Sequence, residues 1–232
     1  GEPSERVITT GALGLDAFAS ATIHDLETLV ERFALTGLRP GYALATLHPE
    51  TRRPDLTRPT AEAMVGVLAE ADLDVVLTYP NADPGADQIL DVLERATATH
   101  ERLHLVRGFG AEYYPTAMAH AGLMVGNSSG GIIEAASFDL PVVDIGDRQK
   151  GRDRGANVIH CKNEPRAITE AIRTARSAPF REKAMSGNIY GDGKGAQRVI
   201  AALREFDLEA LAGPKVFADP DADFTGERQE LV

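Results

Sequence analysis

The residues 127–131, Asn-Ser-Ser-Gly-Gly, interrupt an apolar run, and their types suit the binding of an anion. Gly130 and Gly131 let backbone approach a ligand with no Cβ in the way. The hydroxyls of Ser128 and Ser129 point outward there. With the free N–H groups and dipole of a following helix they favour a phosphate. Glu134 lies about one helical turn further on, where a carboxylate can accept two hydrogen bonds from a vicinal diol. Phosphate at the turn and ribose at Glu134 make the arrangement of a nucleoside diphosphate. A Ser/Gly-rich helix cap followed by one solvated Glu explains the same residues, and both readings stay open at this point.

Other stretches carry candidate chemistry of the same kind. Residues 147–154 (DRQKGRDR) place four cations in eight positions of an acidic chain. A solvated loop is the default for such a run. Beside a phosphate turn, however, an Arg such as Arg148 can neutralise a diphosphate with paired hydrogen bonds. His48 precedes Pro49, which holds it near an extended backbone. It is either a donor to a phosphate oxygen or a polar residue that ends a strand. Asn81 and Asp83 in YPNADPGAD are first-choice turn formers, and a turn suffices to explain them. Residues 190–195 (YGDGKG) resemble a phosphate loop superficially, but no Ser or Thr follows the Lys and no strand precedes it. They read as a turn before the last helix. The remaining histidines show no metal-ligand spacing, so no metal and no cofactor is expected.

These groups need a scaffold to bring them together. Residues 123–126 read as a buried strand, 132–138 as a helix with an apolar face, and 141–145 as a second strand. This is a βαβ unit, which implies parallel strands and a right-handed crossover. Further strands are expected at 7–10, 42–47, 74–78, 103–106 and 157–160. A turn is expected at 11–14. Helices are expected at 25–35, 57–71, from about 86 to 97, at 113–120, 165–175 and 197–206. The alternation gives an α/β fold, a doubly wound parallel sheet of Rossmann-like type. Ligands bind such sheets outside the carboxyl ends of the strands. That rule gathers His48, residues 79–83, 107–110, 127–131 and 146–152 onto one rim.

Bulk properties narrow the classes. Hydrophobic residues make up 43% of 232, enough for a core. No apolar run approaches the ~18 residues of a membrane span, and no charged start leads into an apolar block. A net charge of −11 argues against nonspecific nucleic-acid or anionic-membrane binding. Cys161 is the only cysteine, which excludes an internal disulfide and a Cys-rich zinc site. Cytoplasm is the default location. The start, GEPSER, has no initiator Met and reads as entry into a domain from something upstream. Residues 213–232, rich in Asp, Glu, Pro and Gly, are expected to be mobile.

The block GNSSGGIIEAASFDLPVVDIGDRQKGR, with TLHPET before it and IYGDGKGAQRVIAAL after it, resembles the C-terminal half of UDP-N-acetylglucosamine 2-epimerases. It is most similar to the hydrolysing kind, which releases UDP and N-acetylmannosamine for sialic-acid-type sugar synthesis. The resemblance spans roughly residues 6–203. Non-hydrolysing epimerases differ in this block, with an acidic-Ser-Gly-Gly turn and a Thr-Glu-Arg-Pro loop.

The resemblance implies two Rossmann-like domains facing a cleft, the GT-B architecture, with the C-terminal one gripping UDP. It places His48 and Arg148 on phosphate, Asn81 and Asp83 near the nucleotide, and Phe109 by the uracil. Ser128 and Ser129 then hold the diphosphate and Glu134 the ribose. It also implies that residues 1–40 enter from an N-terminal domain, that 41–206 form the UDP-binding domain, and that 207–232 are an acidic tail. In this family UDP is eliminated across C1–C2 to a glycal, which water attacks. The acid/base carboxylates for that step belong to the N-terminal half, so no catalytic residue is expected in this chain and it is expected to be inactive alone. Its partners are then UDP-N-acetylglucosamine or UDP and its own N-terminal domain. A homo-oligomer is a further expectation, since family members are often dimers or tetramers. Two rivals are a GT-B glycosyltransferase using another nucleotide sugar and a noncatalytic nucleotide-binding module.

Overall fold

The computed structural model describes residues 7–205. The expected acidic tail, the first six residues and the last position of the expected 197–206 helix lie outside the described residues. Six four-residue strands form one sheet: β1 (Ala43–Thr46), β2 (Val75–Thr78), β3 (Leu103–Val106), β4 (Leu123–Gly126), β5 (Val142–Ile145) and β6 (Val158–Cys161). Every pairing is parallel, in the order β3-β2-β1-β4-β5-β6. The order reverses between β1 and β4, which opens a crevice at their carboxyl ends.

Helices cover both faces, as the alternation of side chains along each strand requires. On one face Ala43, Ala45, Val75, Leu77, Val125 and Val143 meet Met64, Leu68, Ile89, Leu93, Ile168 and Ile172. Those helical residues belong to α3 (Thr57–Glu70), α4 (Ala86–Thr97) and α7 (Pro165–Ala175). In α7, Pro165 sits in the first turn, where its missing N–H costs nothing, and Ile168, Ala171, Ile172 and Ala175 recur at helical spacing. On the other face Leu44, Val76, Met124 and Val142 pack with Leu29 of α2 (Leu26–Phe33) and with Ala117 and Met118 of α5 (Gly110–His120). Leu35 and Leu38 join the same cluster, so residues 26–38 contribute to the core of the sheet domain.

Some elements depart from the sequence reading. Residues 7–10 form no strand. Instead, Ala12 N–H donates to the Tyr190 carbonyl at 2.8 Å and the Arg198 guanidinium reaches the Thr10 carbonyl. The expected turn at 11–14 leads into a short helix, α1 (Gly14–Ala19). The helix expected over 132–138 is two pieces: α6 (Ser129–Ile133), then a 3-10 turn over Ala135–Phe138 that ends at Asp139 with φ +51°. An additional helix, α8 (Ala178–Ala184), follows α7.

The last helix, α9 (Gly195–Glu205), is capped from far away. The Asp16 carboxylate accepts from Gly195 N–H at 2.8 Å and from Ala196 N–H at 2.7 Å. The YGDGKG turn therefore already carries an anion of this chain at its helix end, which leaves it a structural joint.

Candidate functional site

At the reversal point, the chain leaves β4 through Gly126. Its φ of +134° and the Thr46 carbonyl 1.9 Å from where a Cβ would stand admit only glycine. Asn127, 1% exposed, follows. Its N–H donates to the Thr46 carbonyl at 3.1 Å, and its side-chain amide bonds the His48 backbone in both directions at 2.7 and 2.9 Å. Its own carbonyl accepts from Gln149 Nε2 at 2.8 Å and from the Arg148 guanidinium at 3.1 Å. One buried residue, through its side chain and its backbone, thus ties together the exits of β1, β4 and β5.

Around this knot lies a cleft of about 260 Å³. Of the residues singled out from the sequence, His48, Phe109, Ser128, Ser129 and Glu134 line it. Asn81, Asp83 and Arg148 do not line it but sit beside His48. The Asn81 N–H donates to His48 Nδ1 at 3.0 Å, and the charges of Arg148 and Asp83 act on the His48 ring. Phe109 is 4% exposed and packs edge-on against Phe33 at 4.7 Å, so it is chiefly a core residue that closes one wall.

The electrostatics follow from burial. The His48 pKa is lowered to about 4, first by desolvation and then by the Arg148 charge, with Asp83 opposing. The Asn81 N–H occupies Nδ1 as an acceptor, so the neutral ring carries its proton on Nε2, a donor. Burial pushes the Arg148 pKa down, which Asp83 and Glu50 counteract. Burial raises the Glu134 carboxyl. Ser128 spends its hydroxyl oxygen on the Gly130 N–H at 3.3 Å, as a helix cap. Because α6 has only five residues, its macrodipole is small, and the polar character of the turn rests on its local N–H and hydroxyl groups.

Tyr79 and Arg107, inside the loops that the rim rule gathered, also line the cleft. Tyr114, Thr46 and Thr78 line it too, and sequence reasoning passed over these three. The Thr46 and Thr78 hydroxyls share one hydrogen bond at 2.6 Å. Glu50, in the TLHPET stretch, lies under the β5 exit, where a Cβ on Gly146 would stand 2.4 Å from its Oε1. Adjacent strand ends signal Thr46 and Thr78, but Tyr114 is set inside α5 and only packing reveals it. Among the described residues no group of three or more His, Cys, Asp or Glu could hold a metal ion, and no helix is long and apolar enough to cross a membrane.

Sheet order, parallel register and a crevice at the reversal point define a Rossmann-like domain of the GT-B kind. Comparison with known proteins makes this specific. A family model described as UDP-N-acetylglucosamine 2-epimerase matches residues 1–204, and the chain belongs to that family. A UDP-N,N'-diacetylbacillosamine 2-epimerase (hydrolyzing) from Legionella pneumophila is 30% identical over 212 residues, covering 90% of this chain and 54% of that protein. A UDP-N-acetylglucosamine 2-epimerase from Neisseria meningitidis is 32% identical over 177 residues, covering 76% and 46%. The solved structure of S. aureus MnaA with UDP superposes with a TM-score of 0.68 at 18% identity, covering 94% of this chain and 58% of that one. The chain spans about half the length of the curated relatives it matches.

Proposed function

We propose that this chain is the UDP-binding half of a hydrolysing UDP-N-acetylglucosamine 2-epimerase, acting in the cytoplasm in sialic-acid-type sugar synthesis. The observation that carries the proposal is the convergence at one rim. A neutral imidazole with its donor on Nε2, a Ser-Ser-Gly-Gly turn and a glutamate unpaired among the described residues line the cleft, with a half-buried arginine, bonded to no carboxylate among the described residues, beside the imidazole. In this reading His48, Arg148, Ser128 and Ser129 hold the diphosphate. Glu134 holds the ribose, Phe109 walls the base, and Asn81 and Asp83 fix His48 and balance Arg148.

The chemistry consists of eliminating UDP from the sugar to leave a glycal and then adding water. This domain supplies charge stabilisation on the departing diphosphate. The acid/base carboxylates that act on the sugar belong to an N-terminal domain outside this chain, to which residues 1–40 lead, and 41–206 form the nucleotide-binding unit, with residues 26–38 packed into its core. The hydrolysing outcome is supported by the Asp-Arg-Gln-Lys-Gly-Arg loop and by the hydrolysing activity for which the Legionella relative is named. A homo-oligomer is part of the same proposal.

Calorimetric titration with UDP, UMP and uridine tests it. UDP is expected to bind at least about tenfold tighter than uridine, and Glu134→Ala and Arg148→Ala are each expected to weaken UDP by about five- to fiftyfold. Equal affinity for UDP and uridine, or variants that bind UDP like the parent chain, would overturn the assignment.

A further inference from the structure

We propose that Tyr114 reads the ribose of the bound nucleotide together with Glu134, the phenol and the carboxylate jointly holding the 2′,3′-diol beside Gly130. The inference rests on the nucleotide reading above and names a residue for which that reading has no role.

Two polar groups from different elements converge on one point. A Cβ on Gly130 would stand 2.8 Å from Glu134 Oε2 and 3.0 Å from the Tyr114 hydroxyl. Glycine at 130 is what allows both groups to lie against the turn. Both residues are half-buried and line the same cleft as Ser128 and Ser129. Among the described residues, neither the Tyr114 hydroxyl nor the Glu134 carboxylate has a hydrogen-bond or ion-pair partner. The contrast with Tyr42 is direct: that buried phenol donates to the Ala117 carbonyl at 2.7 Å. Both groups face the cleft with their hydrogen-bonding capacity open to it, and their convergence on one point there is what marks a place for ligand atoms.

The chemistry of the pair selects the ligand part. An ionised carboxylate only accepts, whereas a phenol donates once and accepts. A vicinal diol offers two donors and two acceptors, and satisfies both. A phosphate would be repelled by Glu134. The ring of Tyr114 packs edge-on against Phe18 at 6.4 Å, a contact that favours this placement of the hydroxyl.

The test is titration of the chain and of Tyr114→Phe with UDP, 2′-deoxy-UDP and 3′-deoxy-UDP. The parent chain is expected to prefer UDP over each deoxy analogue by about tenfold. Tyr114→Phe is expected to weaken UDP by about fivefold while leaving unchanged the affinity for the analogue that lacks the hydroxyl bonded by the phenol. The variant keeps the ring and its packing, so an unchanged melting temperature accompanies these results. Unchanged UDP affinity in the variant, or an equal loss for all three ligands, overturns the inference and leaves the nucleotide site standing. No UDP binding by the folded parent chain overturns both, which separates the two failures.

Discussion

Asn127 and His48 hold each other by a reciprocal pair: the Asn127 Oδ1 accepts from the His48 N–H at 2.7 Å, and its Nδ2 donates to the His48 carbonyl at 2.9 Å. The pair extends the β1–β4 ladder by one rung using a side chain where strand pairing has ended. It sets the imidazole over the turn that carries Ser128 and Ser129. Replacing Asn127 with Ala leaves both His48 backbone groups without these partners beside the cleft. The expected cost is about 2–4 kcal/mol, read by urea denaturation, with weaker UDP binding in parallel. A variant as stable as the parent would show that the pair is incidental.

Gly126→Ala is expected to be more damaging although it adds one methyl group. The new Cβ would stand 1.9 Å from the Thr46 carbonyl in a backbone with φ +134°. Neither the central strand β1 nor the turn can yield without breaking the pairing of Thr46 with Gly126. A loss above about 4 kcal/mol is expected, seen as lost soluble expression or a collapsed urea midpoint.

Asp144, 1% exposed on β5, is held by Arg154 through Nε at 3.0 Å and Nη2 at 2.8 Å, while its Oδ1 is buried with no hydrogen-bond partner among the described residues. Arg154→Leu strands a buried charge and should cost about 3 kcal/mol. Substituting Asp144→Leu as well should recover most of that loss, because the pair pays a large desolvation cost for its attraction. Thermal unfolding of the two single variants and the double variant checks both statements.

The depressed pKa of His48 has a signed consequence for stability. In the folded chain the ring stays neutral down to about pH 4, whereas the unfolded chain protonates it near 6.5. Between those values the unfolded state binds more protons, so stability rises with pH. The contribution is fully present above the unfolded value and is lost as pH falls towards the folded one. His48→Gln removes this dependence. The parent chain is therefore expected to lose more stability than the variant between about pH 7 and 4.5. Equal losses in paired denaturation curves would refute the shift.

Asp16→Ala removes the carboxylate that accepts from Gly195 and Ala196 N–H. The expected cost is about 1 kcal/mol, with faster amide exchange confined to the first turn of α9. Exchange unchanged there would mean that the cap is dispensable.

Much of this molecule is legible in one dimension. Alternating apolar runs and helix-period segments locate all six sheet strands within one or two residues, because burial on both faces of a parallel sheet demands continuous apolar runs. The exception at 7–10 is apolar enough to read as a strand, yet Thr10 and the following Ala12 are bonded instead to Arg198 and Tyr190, far away in sequence, which no local pattern reports. The rim residues were legible through one topological rule, that loops after parallel strands share one side of the sheet. That rule brings His48, Ser128 and Arg148 into one region without knowing a single distance.

The residue types at 127–134, with the cation-rich loop after β5, determined by themselves that this rim is polar, and left open whether the turn takes an anion or only caps a helix. Only the tertiary structure decided how that chemistry is held. Asn127 reads locally as a strand breaker and proves to be a buried knot. Asp16 caps a helix that begins 179 residues later, and Tyr114 turns out of a helix to meet Glu134 beside Gly130. The physical reason is common to all three. A hydrogen bond or a close approach acts over a few ångströms in space with no constraint on separation along the chain, so its partner leaves no mark on the neighbouring sequence.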